Sequence, residues 1–76
     1  MSYLRVHTKH TPKETVDLGE YYIALDTIAE VYKIKKYRTE DNYATVDFRV
    51  KTKRGEAYEA TLSLIKFKEF IEGRSR

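Results

Sequence analysis

The clearest pattern in the chain is strict alternation of apolar and polar residues on either side of one glycine. In "YATVDFRVKTKRGEAYEATL", Ala44, Val46, Phe48 and Val50 share one face, while Thr45, Asp47, Arg49 and Lys51 take the other. Beyond the glycine, Tyr58, Ala60 and Leu62 alternate with Glu59 and Thr61. A loop of Lys53, Arg54 and Gly55, with Gly55 in the left-handed region, pairs Thr52 with Glu56. That register sets Val50 against Tyr58, Phe48 against Ala60 and Val46 against Leu62, so the apolar side chains fall on one face. A slip of one residue breaks every one of these pairs, so the pattern specifies a hairpin.

The period then changes. Ser63 can cap a helix, with Leu62 before it and Phe67 four positions after it as a hydrophobic staple. Leu64, Phe67, Phe70 and Ile71 form an apolar stripe at helical spacing. The spacing predicts a helix over 64–72 lying on the apolar face of the sheet. Gly73 stands where a C-terminal cap belongs, and 74–76 read as a flexible tail.

Upstream, "IAEVYKIKKY" reads as the strand before the hairpin, with a turn through Thr39, Glu40, Asp41 and Asn42. Setting Ile34 against Val46 and Tyr32 against Phe48 keeps the apolar face consistent and brings Tyr37 opposite Tyr43. "YYIAL" is a further strand with apolar residues at odd positions, so a bulge or corner near Asp26 and Thr27 is needed to join the two. Of the adjacent Tyr21 and Tyr22, one points in and one out. "YLRVHT" is a first strand with Leu4 and Val6 on one face. Between these two, "TPKETVDLG" has Thr11 as a cap, Pro12 at the first helical position and Glu14 to close a capping box, which predicts a short helical turn ending at Gly19. The fold expected is α+β, mainly β: a small curled antiparallel sheet or partial barrel of four to five strands, with a C-terminal helix packed on it and a short helical turn after strand 1.

Composition narrows the function classes. A chain of 76 residues holds one domain, and without cysteine neither disulfides nor thiolate-bound zinc can reinforce it. Charged residues make up 36% of the chain, and no apolar run approaches spanning length, so no membrane association is expected. No apolar leader opens the sequence, so the cytoplasm is the expected compartment. His7 and His10 are three apart, which on a regular strand turns them to opposite faces and prevents chelation of one ion. Ser2, Ser63 and Ser75 have no histidine close in sequence. The pairs Asp17 with Glu20 and Asp26 with Glu30 have no partner that marks them as an acid–base couple, and the glycines stand alone. No enzyme activity, cofactor or metal is expected.

Charge is the one uneven property. Five acids and no base occur between Glu14 and Glu30, whereas Lys33, Lys35, Lys36 and Arg38 form one basic run and Arg49, Lys51, Lys53 and Arg54 another. In the register above, Lys33, Lys35, Arg49 and Lys51 share the polar face with Tyr37 and Tyr43, and these six are the candidate partner-binding residues. Asp47 opposite Lys33 and Glu59 opposite Arg49 neutralise part of that field. The leading expectation is therefore a protein partner, or regulation of a larger protein. Nucleic-acid binding through basic residues interleaved with tyrosines is the alternative, weakened by a net charge of only +3. Self-association is a third expectation: "YLRVHT" reads as an edge strand whose Leu4 and Val6 need cover, and Ile65 lies away from the helix's apolar stripe.

Overall fold

A computed structural model describes residues 2–38 and 44–74. It is an open, five-stranded antiparallel sheet with one helix packed on it. The strands are β1 (Tyr3–His10), β2 (Thr15–Ala24), β3 (Ile28–Arg38), β4 (Ala44–Thr52) and β5 (Ala57–Ser63), followed by helix α1 (Leu64–Arg74). In space the order is β2-β1-β5-β4-β3. Among the described residues no helix is long and apolar enough to cross a membrane.

The β4–β5 hairpin has the register its alternation predicts, with Val50 opposite Tyr58, Phe48 opposite Ala60 and Val46 opposite Leu62. Gly55 has φ +87°, its N–H donates to the Thr52 carbonyl, and the Thr52 N–H donates to Glu56. The Ser63 hydroxyl accepts from the Lys66 N–H at 3.3 Å, as an N-cap should. Phe67 and Phe70 then bury their rings against Phe48, with centroids 5.0 and 5.5 Å away. The helix continues through Gly73 to Arg74, whose guanidinium donates to the carbonyls of Ile28 and Ala29. Arg74 is thus a clasp between the helix and the start of β3, and only 75–76 of the expected tail lie outside the described residues.

Three expectations are corrected. First, "TPKETVDLG" forms no helical turn. Thr11 and Glu14 close a tight loop joining β1 to β2: the Thr11 N–H and hydroxyl both donate to the Glu14 carbonyl, and the Glu14 N–H donates back to the hydroxyl. The same residues that begin a helix also close a turn, and here strand pairing on both sides decides between them. The helical turn falls after β2 instead, as a 3-10 segment over Leu25–Thr27, at the corner expected near Asp26 and Thr27.

Second, β1 is not an edge. It lies between β2 and β5, and Leu4 and Val6 are buried within the chain, at 1% and 0% exposure. Antiparallel pairing of Thr8 with Glu59 and Lys9 with Tyr58 supplies the second neighbour.

Third, β3 slides relative to β4. Val31 lies opposite Val50, Tyr32 opposite Arg49, Lys35 opposite Asp47 and Lys36 opposite Val46. Two bulges cause this, one between Ile28 and Glu30 and one between Tyr32 and Lys35, where Lys33 takes φ +49°. Each inserted residue reverses the inward and outward sense of the residues after it. Val31 therefore takes the core position, Tyr32 faces outward, and Ile34 is left 47% exposed.

Candidate interaction surface

The outward face of the sheet carries two adjacent polar clusters. Glu59 sits opposite Arg49 and takes its Nε–H at 3.4 Å, while His10 Nε2 lies 3.2 Å from the same Glu59 oxygen. Next to it, the Thr61 hydroxyl donates to Asp47 at 2.6 Å. A hydroxyl has one proton to give, so Thr61 accepts from His7 Nε2–H at 3.0 Å. In neutral His7 the other nitrogen then accepts from Thr8, 2.7 Å away. Both histidines thus face outward, against the expectation from their spacing. The pairing of β1 with β2 shifts register between Val6 and Thr8, with the extra residues on β2, and beyond it Thr8 and His10 lie opposite Glu59 and Ala57 of β5. Among the described residues no group of three or more His, Asp or Glu side chains is placed to hold a metal.

Four of the six candidate residues meet on this face. Lys33, Lys35, Tyr37 and Arg49 line one shallow depression of about 130 Å³, together with Asp47 and Glu59. Lys51 lies further along β4, opposite Glu30. Tyr43 and the turn expected at 39–42 lie outside the described residues. Three bases against two acids leave the depression with a surplus of a single positive charge, and Arg49 is already committed to Glu59.

The larger surplus lies elsewhere. From Val31 to Arg38 the strand β3 has four bases and no acid, and none of the four has an ion-pair partner among the described residues. These bases occupy both faces: Lys35 lies opposite outward-facing Asp47, while Lys36 and Arg38 lie opposite core-side Val46 and Ala44. Yet all of them are exposed, as are Ile34 and Tyr37 at 47% each. Among the described residues β3 is also an end strand, paired only with β4. Sequence reasoning found the run but not its edge position, so Lys36, Arg38 and Ile34 were missed. The signal was present, since bases at consecutive positions 35 and 36 cannot share one face of a strand.

A second cluster sits where β1 meets the end of β5. Lys9 donates to Glu56 at 3.1 Å and its ammonium lies 5.7 Å from the centre of the Tyr58 ring, whose hydroxyl also donates to Glu56. Those two hydrogen bonds, with Lys9 first, hold the Glu56 carboxyl below its usual range. The Glu56 hydrogen bond raises Lys9, and burial followed by the bond to Glu56 raises Tyr58. Comparison with known proteins finds no matching family model, no matching curated protein and no matching solved structure.

Proposed function

We propose that this protein is a non-catalytic binding module that recognises a protein partner by taking an acidic, extended segment of it along the free edge of β3. The observation carrying this reading is that the bases of β3, which have no ion-pair partner among the described residues, are divided between its two faces. A ligand lying flat on one face meets only part of that charge. A strand added beside β3 runs between both rows, with its own side chains alternating to match them. Backbone hydrogen bonds supply affinity, Ile34 and Tyr37 offer apolar contact, and acidic side chains supply selectivity and rate.

Self-association has less to rest on. Leu4 and Val6 are covered by their own chain, leaving Ile65, at 73% exposure. One apolar side chain contributes about 1.5–3 kcal/mol, short of the roughly 4–15 kcal/mol lost on association. Nucleic-acid binding is the second reading, favoured by the convergence of Lys33, Lys35 and Tyr37 at the outward depression and opposed by Asp47 and Glu59 within it.

Amide-resolved NMR titration with a short Glu- and Val-rich peptide, run beside a single-stranded oligonucleotide, tests the reading. The peptide should shift amides of 31–38, slow their hydrogen exchange, and lose affinity with added salt. Lys36→Glu, remote from the outward depression, should abolish peptide binding. Oligonucleotide binding that survives Lys36→Glu but fails in Arg49→Glu would establish the second reading instead. No peptide binding at low salt overturns the proposal, and leaves the β3 lysines as guards against edge-to-edge aggregation.

A further inference from the structure

Between the end of β2 with its following corner and the β4–β5 turn lies a groove of about 570 Å³ that no residue of α1 lines. That volume falls within the roughly 300–1,000 Å³ usual for small-molecule sites. Tyr21 and Tyr58 form its aromatic wall. Tyr58 is buried, and the Tyr21 ring stacks on it with centroids 6.1 Å apart and planes 15° from parallel. Tyr21 remains 47% exposed, a poor arrangement for a ring whose only task is packing, while Tyr22, next to it on the strand, turns to the other side and donates its hydroxyl to Glu20.

The rim is basic. Lys53 and Arg54 line the groove, both are exposed, and neither has an ion-pair partner among the described residues. Their turn is anchored: the Lys53 N–H donates to Thr27 at 2.8 Å, and the Leu25 N–H donates to Ser2 at 3.1 Å. The acid Glu56 is already engaged by Lys9 and Tyr58, which leaves Asp26 as the lining acid without an ion pair. An exposed aromatic wall, two uncommitted cations and one carboxylate together select a planar ring, one anionic group and a hydrogen-bond donor.

We infer that this groove binds a small planar aromatic anion, with the ring against Tyr21, the anionic group on Lys53 and Arg54, and a donor group facing Asp26. A nucleoside monophosphate and an aromatic carboxylate share that chemistry. The site is separate from the β3 edge, so neither proposal depends on the other.

Titration monitored by amide NMR with adenosine monophosphate, indole-3-acetate and neutral adenosine tests it. At least one anion should shift amides of 21–27 and 52–58 and leave 31–38 unmoved. Adenosine should bind about tenfold more weakly than its monophosphate, the loss expected for a charge-assisted contact. Arg54→Gln, on an exposed turn, should weaken anion binding by a similar factor, and Tyr21→Ala by as much again while the remaining spectrum is preserved. Response to the phosphate alone assigns a nucleotide, and response to the indole acid alone assigns a carboxylate. Adenosine binding as well as its monophosphate, affinity unchanged in Arg54→Gln, or no response at millimolar ligand overturns the inference.

Discussion

Replacing Phe67 with alanine tests the packing on which the whole fold depends. The ring is 6% exposed and lies 5.0 Å from Phe48 and 6.4 Å from Phe70, so three aromatic rings form the contact between α1 and the sheet. Truncating a buried phenylalanine costs about 3–5 kcal/mol once the cavity is counted. At roughly 0.05–0.15 kcal/mol per residue, a domain of this size has only about 4–11 kcal/mol in all. The melting temperature should fall by at least about 12 °C, taking the lower figure of ~4 °C per kcal/mol for small domains. Urea unfolding monitored by far-ultraviolet circular dichroism measures the loss directly. Ile65→Ala, on the exposed side of the same helix, should stay within about 0.5 kcal/mol of the parent. If Phe67→Ala leaves no folded baseline, Phe67→Leu keeps most of the volume and should cost about 1–2 kcal/mol. Equal losses in Phe67→Ala and Ile65→Ala would refute the docking of α1 on the sheet.

The two glycines near the C-terminal elements should respond with opposite signs. Gly55→Ala places a side chain at φ +87° and should cost about 1–2 kcal/mol by urea titration, whereas Gly73→Ala, inside the helix, should gain about 0.5–1 kcal/mol. An added Cβ meets nothing within 4 Å at either position, so backbone preference alone sets the sign. Thermal scans against pH should report the Lys9–Glu56–Tyr58 cluster. Glu56 is depressed, so its contribution is full above the ordinary carboxylate value of 4.5 and disappears as pH falls through the lower folded value. Lys9 and Tyr58 are raised, so theirs is full below their ordinary values and is lost at alkaline pH as each passes its folded value. Glu56→Gln should flatten both limbs, and unchanged limbs would mean the cluster is not formed in solution.

How much of the fold could be read depended on whether alternation ran unbroken. From Ala44 to Leu62 it did, and the hairpin, its register and the helix start after Ser63 were all legible. Elsewhere, bulges interrupt the period: near His7, between Tyr32 and Lys35, and at Gly19, where φ is +67° and Asp17 Oδ1 accepts the glycine N–H. Only Gly19 announces itself by residue type. Lys33 adopts positive φ without being glycine, asparagine or aspartate, and nothing in "VYKIKKY" signals it. The placement of β1 between β2 and β5 is a long-range choice, since Thr8 and Glu59 are far apart in sequence and neither pattern names the other.

The candidate surface was half legible for a related reason. Sequence reveals which residues are basic, but strand order decides which of them keep their charge available. Arg49 lies on an interior strand, where a neighbour on either side can bring an acid within reach, and Glu59 does so. Lys33, Lys35, Lys36 and Arg38 lie on an end strand with one neighbour, so cross-strand partners can come from one side only. Asp47, the acid opposite Lys35, accepts from Thr61 and forms no ion pair with Lys35. What remains is a row of bases with no ion-pair partner among the described residues. An acidic strand brought alongside satisfies those charges and the unpaired backbone edge together, whereas a ligand on the outward face meets the neutralised Arg49 first. On the proposed reading, the edge position of β3, invisible in the residue pattern, is what would turn a common basic run into a directional surface.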